Sequence, residues 1–474
     1  MTAAPSDIVC VDLDGTLVRT DTLVESLLQL LKYHFHMVVF FPFWLLKGRA
    51  YFKYKVSQYS TVYPELLPYN QQVLDYLKTQ KSAGKKLYLV TASQQATADK
   101  VADHLKLFDG QYGSSENTNY KGSMKAKLLN EVFGEKKYDY IGDSRADIKV
   151  WNNSSHAVVV DNPRLAKKTK AADIPTTEII NEKHPPVYSY LRMIRLHQWV
   201  KNLLIFVPLI LSHSILELDK VMTTVYGFVL FSLAASGIYV FNDLIDLNND
   251  RTHPQKSKRA LASGAVPVAH GFIIGSLFWL VSLGFSFVYY EYLFVLIVGY
   301  IALNFIYSTI LKRLVLLDVV VLAGFYILRL TVGAVMTGES LSFWLITFSL
   351  FIFFSLALVK RYIEIAYHMQ GRSEIRGRGY CKEDEVITSI LGVASGLISV
   401  LVMALYIHDP HTLELYSDAN WLWMTIPALL YWVSRLWLLA HRNEIGDDPI
   451  SFAIKDPESY LVALVLSLSV YVAL

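Results

Sequence analysis

Two short acidic motifs carry the densest chemistry in this chain. The first closes the stretch Ile8-Val9-Cys10-Val11-Asp12-Leu13-Asp14-Gly15-Thr16, an apolar strand that ends in Asp-x-Asp-Gly-Thr. Two carboxylates at i and i+2 on a strand-end loop can share one Mg²⁺ while the first attacks phosphorus. Gly15 permits the tight turn beyond them. The second motif is Asn242-Asp243-Leu244-Ile245-Asp246-Leu247-Asn248-Asn249-Asp250-Arg251. On a continuous helix, residues 242, 246 and 250 fall at i, i+4 and i+8, on one face. Hard oxygens on one face suit a Mg²⁺ that also holds a diphosphate. Acidic groups leaving a membrane helix are costly without a cation, which favours a functional reading. Ala234, Ala235, Ser236 and Gly237, just before the motif, allow close helix packing. Taken alone, either motif could also be a plain strand-to-turn junction or a solvated helix end.

The elements around the motifs belong to two solvents. Of the 474 residues, 53% are hydrophobic, and the net charge is +3. Mean hydropathy is +0.33. A chain this apolar calls for membrane spans, and a charge this small gives no reason to expect nucleic acid as a partner. Cys10 and Cys381 lie far apart, lack metal-ligand spacing and read as reduced thiols. Over residues 1–180, short apolar runs alternate with polar, helix-like stretches. Ile8–Leu13, Lys86–Thr91, Tyr138–Gly142 and Ala157–Val160 read as buried strands of a parallel sheet. Lys167–Pro186 reads as a linker. Beyond it the apolar runs lengthen, with spans expected near 199–216, 221–241, 268–288, 291–310, 314–336, 341–360, 386–407, 420–440 and 458–474.

The expected fold is therefore multidomain. An N-terminal α/β, Rossmann-like domain over 1–180, with a helical cap at about 18–80, precedes an all-α polytopic bundle of about nine transmembrane helices over 181–474. Basic residues gather after the even-numbered spans: Arg251, Lys256, Lys258, Arg259, Lys312, Arg313, Arg361, Arg372, Arg376, Arg378, Lys382 and Arg442. The positive-inside rule puts those loops in the cytoplasm. Residues 1–20 lack a signal-peptide pattern, so the N-terminal domain is expected there too, on a cytoplasmic (inner) membrane crossed several times. Within the cap, the ten-residue apolar run Met37–Leu46 is too short to span a bilayer. Lys47, Arg49, Lys53 and Lys55 follow, interleaved with Tyr51, Phe52 and Tyr54. This mixture suits a membrane interface, and packing into the cap's own core is the alternative.

Further pieces follow the first motif in order: Leu87-Tyr88-Leu89-Val90-Thr91, then Lys125, then Ile141-Gly142-Asp143-Ser144-Arg145-Ala146-Asp147. This order resembles the HAD hydrolase superfamily over roughly residues 7–165. The resemblance implies a Mg²⁺-dependent phosphatase. Asp12 would be the nucleophile and Asp14 the general acid/base. Thr91 and a lysine would hold the phosphoryl group, and Asp143 and Asp147 would complete or orient the metal site formed with Asp12 and Asp14. Lys125 puts Leu129, Val132 and Phe133 on one face of the following helix; Lys121 is the other candidate.

The second motif resembles the UbiA superfamily over about residues 190–474. Members use a Mg²⁺-bound diphosphate as a leaving group inside a helical bundle, and usually carry a second Asp-rich motif after the sixth span. Here that loop reads Lys360-Arg361-Tyr362-Ile363-Glu364 and runs on through Arg372, Arg376 and Arg378, so cations stand where carboxylates are usual. The pattern looks like one branch, the decaprenylphosphoryl-5-phosphoribose synthases. The matching pieces are Arg195-Leu196-His197-Gln198-Trp199-Val200-Lys201-Asn202, His253-Pro254-Gln255-Lys256-Ser257-Lys258-Arg259, Tyr307-Ser308, Leu311-Lys312, Asp318, Leu328-Arg329, Lys360-Arg361-Tyr362 and Asp448-Pro449.

That branch implies transfer of 5-phosphoribose from phosphoribosyl diphosphate to polyprenyl phosphate. Asn242, Asp246 and Asp250 would hold Mg²⁺. Lys201, Asp243, Arg251, Arg259, Tyr307, Lys312, Asp318, Arg329, Lys360 and Arg361 would bind substrates. Donor and acceptor are both anionic, which arginine and lysine suit. The phosphatase would then remove the 5-phosphate, giving a polyprenyl-phosphoryl ribose for cell-surface polysaccharide. The alternative is prenyl transfer to an aromatic acceptor, with an unrelated phosphatase attached.

Overall fold

The computed structural model describes residues 6–179, 186–368, 378–446 and 449–473. Arg372, Arg376 and Asp448 lie outside the described residues. The chain packs as two compact units. One combines residues 1–196 with 239–277, and the other combines 197–238 with 278–474.

The first unit is built on a six-stranded sheet with the order β3-β2-β1-β4-β5-β6. The strands are β1 (Ile8–Val11), β2 (Lys86–Gln94), β3 (Gly110–Ser114), β4 (Asp139–Gly142), β5 (His156–Val160) and β6 (Thr176–Ile179), and every pairing is parallel. Alternation assigns side chains to two cores. Val9, Val11, Leu87, Leu89, Ile141, Val158 and Val160 share one face. Cys10, Val90, Tyr140, Ala157 and Val159 share the other.

The sequence reading misses β3 and β6. These are the two edge strands, Gly-Gln-Tyr-Gly-Ser and Thr-Thr-Glu-Ile, and polar edges give no apolar run. The expected linker at 167–186 therefore contains most of a helix and the sixth strand. Helices in this unit are α1 (Thr22–Tyr33), α2 (Phe41–Leu46), α3 (Arg49–Gln58), α4 (Gln71–Ser82), α5 (Gln95–Leu105), α6 (Ser123–Phe133), α7 (Ile148–Trp151), α8 (Pro163–Ala171) and α9 (Pro186–Met193).

The cap is shorter than expected. It leaves the sheet after Val18 and returns at Tyr69, and the two residues form an antiparallel bridge. Arg19 N donates to Pro68 O (2.9 Å), and Asn70 N donates to Leu17 O (2.9 Å). α4, placed inside the cap by the sequence reading, instead buries Val73, Leu74 and Leu77 against the sheet. The cap has its own small core of Leu30, Trp44 and Val56, backed by Met37, Phe41 and Phe52. The apolar run thus divides between the two expectations. Phe41 and Trp44 point inward, while Val39, Phe43 and Leu46 are exposed, Leu46 at 85%.

The remaining helices are α10 (Val207–Leu211), α11 (Leu218–Ile245), α12 (Leu247–Thr252), α13 (Val268–Tyr289), α14 (Glu291–Thr309), α15 (Leu317–Thr337), α16 (Phe343–His368), α17 (Asp384–Ile407), α18 (Pro410–Leu415), α19 (Thr425–His441), α20 (Pro449–Ala453) and α21 (Pro457–Ala473). Among the described residues seven helices are long and apolar enough to cross a membrane, or eight if the bent pair Val187–Met193 and Leu196–Leu211 forms one span. The bent pair and a shorter apolar helix, Pro457–Ala473, occupy the first and last of the nine expected spans. The first expected span is a 3₁₀ stretch, Leu196–Phe206, running into α10 with Pro208 at its start, and the pair bends by 51°. The last, α21, has 17 residues. The second unit has two main cores. One gathers Phe231, Ile297, Tyr300 and Val332; the other gathers Leu358, Tyr362, Val433 and Trp437.

Candidate active sites

The strand order reverses direction at β1. Asp12 and Asp143 sit just beyond the carboxyl ends of β1 and β4, and Thr91 lies in the last half of β2, past the register of Val11 with Leu89. This is the crevice where open α/β sheets bind ligands. Asp12 N donates to Ile141 O (3.0 Å), which fixes the loop. Asp12 Oδ1 accepts from Leu13 N (2.8 Å), and Oδ2 meets Lys125 Nζ at 2.8 Å. Lys125 rises from α6, is 2% exposed, and also donates to Tyr140 Oη (2.7 Å). Lys121 is exposed. Of the two candidate lysines, Lys125 is the one that reaches Asp12.

Asp14 faces the cap. Its Oδ1 accepts from Thr22 N (2.8 Å), and its Oδ2 accepts from Ser93 Oγ (2.5 Å). Thr91 is fully buried, and its Oγ1 accepts from Ser93 N (3.0 Å). Asp143 Oδ1 accepts from Thr16 Oγ1 (2.9 Å). Gly15 (φ +75°) is required here, since a Cβ would lie 2.5 Å from Asp143 Oδ2. Asp147 is buried, and its oxygens accept from Tyr140 Oη (3.0 Å) and from Ser144 N and Oγ (2.9 and 2.7 Å). It orients the loop that carries Asp143.

Crowding perturbs these acids. Burial, then the charge of Asp21, pushes Asp14 up to about 6. Burial, then Asp12, pushes Asp143 up to about 7. Burial raises Asp12 as well, against the lowering effect of Lys125. From the cap, Lys53 Nζ donates to Ala92 O (2.8 Å), and burial lowers its pKa.

The acidic motif of α11 and α12 belongs to the same unit. The helix breaks at Asp246, yet Asp246 N still donates to Asn242 O (3.0 Å) and Asp250 N to Asp246 O (2.8 Å). The i, i+4, i+8 spacing therefore survives the break. Asp243 Oδ1 accepts from Arg195 Nη2 (2.5 Å) and Arg259 Nη1 (3.0 Å), and Asp250 Oδ2 accepts from the same Arg259 Nη1 (2.7 Å). Arg259 thus bridges two aspartates. Arg251, expected to bind substrate, does not face one. Its guanidinium is buried against Glu25, with Nη1–Oε2 2.9 Å and Nη2–Oε1 2.7 Å, and Nε donates to Ala262 O (3.2 Å).

Neither expected metal set is gathered around one point. Among the described residues no three carboxylate, imidazole or thiolate groups stand in metal-holding geometry. Asp14, Asp147 and Asp250 are each satisfied by protein donors instead. The donor chemistry still fits Mg²⁺. Asp12, Asp14 and Asp143 are hard oxygen donors whose burial disfavours ionisation, and a divalent cation reverses that balance.

In the second unit, Asp318 is fully buried at the start of α15. It accepts from Arg361 Nε (2.7 Å), Tyr380 Oη (2.8 Å) and Arg378 Nη1 (3.4 Å). Arg361, also expected to bind phosphate, is buried with its other groups toward Glu364 and Tyr307. Arg378 shares both carboxylates and is the more exposed of the two cations. Arg329 is buried on α15. It donates to Asn202 Oδ1 (2.8 Å), Phe325 O and Tyr300 Oη, with Phe231 and Tyr326 rings beside it. Lys201, Lys312 and Lys360 are half-buried.

The sequence reading misses Thr22, Ser93, Tyr140, Glu25 and Tyr380. Only Ser93 carries a local signal, two residues after Thr91 at the same strand end.

A parallel sheet with an aspartate–lysine pair at its switch point, and apolar helices bearing an Asn-Asp-x-x-Asp-x-x-x-Asp turn, define a multi-pass membrane transferase with an appended phosphatase-like fold. The UbiA prenyltransferase family matches residues 204–455, and the chain belongs to that family. Protein y4nM of Sinorhizobium fredii is 38% identical over 468 residues, 97% of this chain and 89% of its own length. Decaprenyl-phosphate phosphoribosyltransferase of Mycolicibacterium smegmatis is 32% identical over 194 residues, 40% of this chain and 61% of that protein. A phosphoserine phosphatase solved in apo form covers 35% of this chain and 91% of its own, at 14% identity and a TM-score of 0.27.

Proposed function

We propose that the chain transfers 5-phosphoribose from phosphoribosyl diphosphate to a polyprenyl phosphate, and then removes the 5-phosphate to leave a polyprenyl-phosphoryl ribose for cell-surface polysaccharide. The observation that carries this reading is the cation set in the last part of α16 and just beyond it. Lys360, Arg361 and Arg378 stand where an Asp-rich motif would serve a prenyl diphosphate, and Asp318 and Glu364 hold the arginines. A donor with a diphosphate and a separate phosphate needs more cations than a prenyl diphosphate does. The likeness to the Mycolicibacterium smegmatis phosphoribosyltransferase points the same way.

In this reading Asp246 and Asp250, with Asn242 and Asp243, are the residues that would hold Mg²⁺ on the diphosphate. The ion supplies positive charge to the departing group. The bond from C1 of ribose to the diphosphate oxygen breaks, and an oxygen of the lipid phosphate bonds C1. Lys201, Arg259, Lys312, Lys360 and Arg378 are the cations that would bind phosphate oxygens. At the other centre Asp12 attacks the 5-phosphoryl group, the ester P–O bond breaks, and Asp14 protonates the leaving oxygen. Water then attacks the aspartyl-phosphate, and Asp14 takes its proton. Thr91 and Lys125 hold the phosphoryl oxygens.

Basic residues gather after α11, α14, α16 and α19. We read the membrane as the cytoplasmic (inner) one, with the N-terminal part in the cytoplasm.

The test incubates the purified full chain and Mg²⁺ with labelled phosphoribosyl diphosphate plus polyprenyl phosphate, and separately with a prenyl diphosphate plus 4-hydroxybenzoate. A labelled ribosyl lipid from the first pair alone is expected. A prenylated aromatic from the second pair, with nothing from the first, overturns the reading.

A further inference from the structure

Glu25 and Arg251 are 226 residues apart in sequence and meet as a two-point ion pair. Their side chains are 7% and 5% exposed. Glu25 Oε1 also accepts from Thr20 Oγ1 (2.5 Å), and Arg251 Nε is held by Ala262 O. Such a pair is fixed in geometry, because a planar fork on a carboxylate admits one register.

The pair is one of three grips that the cap base places on the acidic motif. At the far end of α1, Lys32 Nζ donates to Ile245 O (2.7 Å), the last residue of α11 and the neighbour of Asp246. Glu25 holds Arg251, the neighbour of Asp250. Beyond α12, Gly264 (φ +71°) lies against Arg19, where a Cβ would come within 2.7 Å of the Arg19 Cβ. Between the grips, Val24 and Leu28 of α1 pack on an apolar cluster that includes Leu244, Leu247 and Leu261. Meanwhile the start of α1 is tied to the other centre, since Thr22 N donates to Asp14 Oδ1.

The broken turn at Asp246 has little to hold it from within. α12 is six residues long, too short to be stable unsupported. Its position is set by what packs on it: the 3₁₀ turns Lys256–Lys258 and Pro64–Leu66, and α1 through the Glu25–Arg251 pair.

We propose that Glu25, a residue of the phosphatase-like part, is a positioning residue for the acidic motif. It sets the place of Arg251 and through it of Asp250, so the cap base completes the transferase centre. This rests on the proposed function only in taking the acidic motif as the centre of transfer.

The test uses the full chain with Glu25→Gln, Arg251→Glu, Glu25→Arg and the double variant Glu25→Arg/Arg251→Glu. Asp12→Asn serves as a control that loses the proposed nucleophile but keeps the pair. The first readout is hydrogen exchange of amides 246–252, which needs no substrate. Glu25→Gln is expected to speed exchange there by at least about tenfold, with the amides of α17 unchanged. The second readout is the Mg²⁺ concentration for half-maximal ribosyl transfer. It is expected to rise by about tenfold in each single variant, to recover in the double variant, and to stay at the wild-type value in Asp12→Asn. Unchanged exchange in Glu25→Gln, or an unchanged Mg²⁺ requirement, overturns the proposal. A wild-type chain that transfers no phosphoribose overturns the proposed function instead, and the exchange readout then judges Glu25 by itself.

Discussion

Replacing Lys125 with Met puts the phosphatase centre to a quantitative test. Met occupies much the same volume and keeps the buried stem, so the change removes charge without opening a cavity. What is lost is the ammonium 2.8 Å from Asp12 Oδ2, also bonded to Tyr140 Oη. Burial already raises Asp12, and Lys125 is the largest influence lowering it. At an effective dielectric of about 20, a pair in contact is worth roughly 4 kcal/mol. That is an upper bound on the cation's contribution, since relaxation around the pair lowers it. The sign follows from the nucleophile's need to be ionised. Removing the cation raises the Asp12 carboxyl further, so the acidic limb of activity moves to higher pH. At fixed neutral pH the rate falls by about 10²-fold, chiefly because the charge of the transferring phosphoryl group loses its partner. The assay is hydrolysis of a soluble aryl phosphate by the full chain in Mg²⁺, scanned from mildly acidic to mildly alkaline pH. Lys125→Met with an unmoved acidic limb and a near-wild-type rate refutes Asp12 as the nucleophile that Lys125 serves.

Three further outcomes are expected. Asp246→Asn abolishes ribosyl transfer, a loss of at least about 10²-fold, while hydrolysis of a soluble phosphomonoester survives; near-normal transfer in this variant, or without Mg²⁺, removes the acidic motif from the mechanism. Serine at Val39, Phe43 and Leu46, the exposed side of the cap's apolar run, lowers activity on the lipid substrate more than on a soluble ester, because a membrane contact matters only to the former; equal losses return those residues to packing. Asp12→Asn still consumes phosphoribosyl diphosphate and accumulates a lipid that keeps its 5-phosphate, read by mass spectrometry as one extra phosphate. A fully dephosphorylated lipid from this variant assigns the phosphatase-like part another substrate.

What could be read in the sequence is what local chemistry marks. Asp12 and Asp143 each end an apolar strand, and the carboxyl end of a strand beside a switch point is where such residues converge. The four strands recognised are the inner ones, where apolar runs are continuous; β3 and β6 are edges and carry no such signal. Asp14 shows the limit on residue roles. Its partners Thr22 and Ser93 are common hydroxyl residues, and Ser93 lies 79 positions away. Arg251 shows how a sound local inference goes astray. A basic residue beside an acidic motif reads as a ligand, and its partner Glu25 lies in the other half of the chain. The span count is hardest to read where helices are short or bent. Pro208 and the 3₁₀ stretch before it give a hydropathy window the length of a span without a straight helix under it.

The bridge between Val18 and Tyr69, and the flanking backbone hydrogen bonds at Arg19 and Asn70, bring both ends of the cap to one doorway in the sheet. An excursion that leaves and re-enters at the same point is a graft. Its contents can be lengthened or exchanged with little effect on the host, since doubling a closed loop costs only about 0.6 kcal/mol in closure entropy. Evolution would ordinarily treat the whole insert as interchangeable and use it to change what the sheet's crevice accepts. In this chain the freedom is unequal. The apolar run from Met37 to Leu46 answers to the cap's own small core, whereas Lys53 reaches Ala92 of the sheet, Val62 joins the sheet core, and α1 faces Ile245 and Arg251 as well. Descendants of this architecture should therefore drift fastest between Met37 and Leu46, and hold the first helix to a vocabulary written by both parts of the chain.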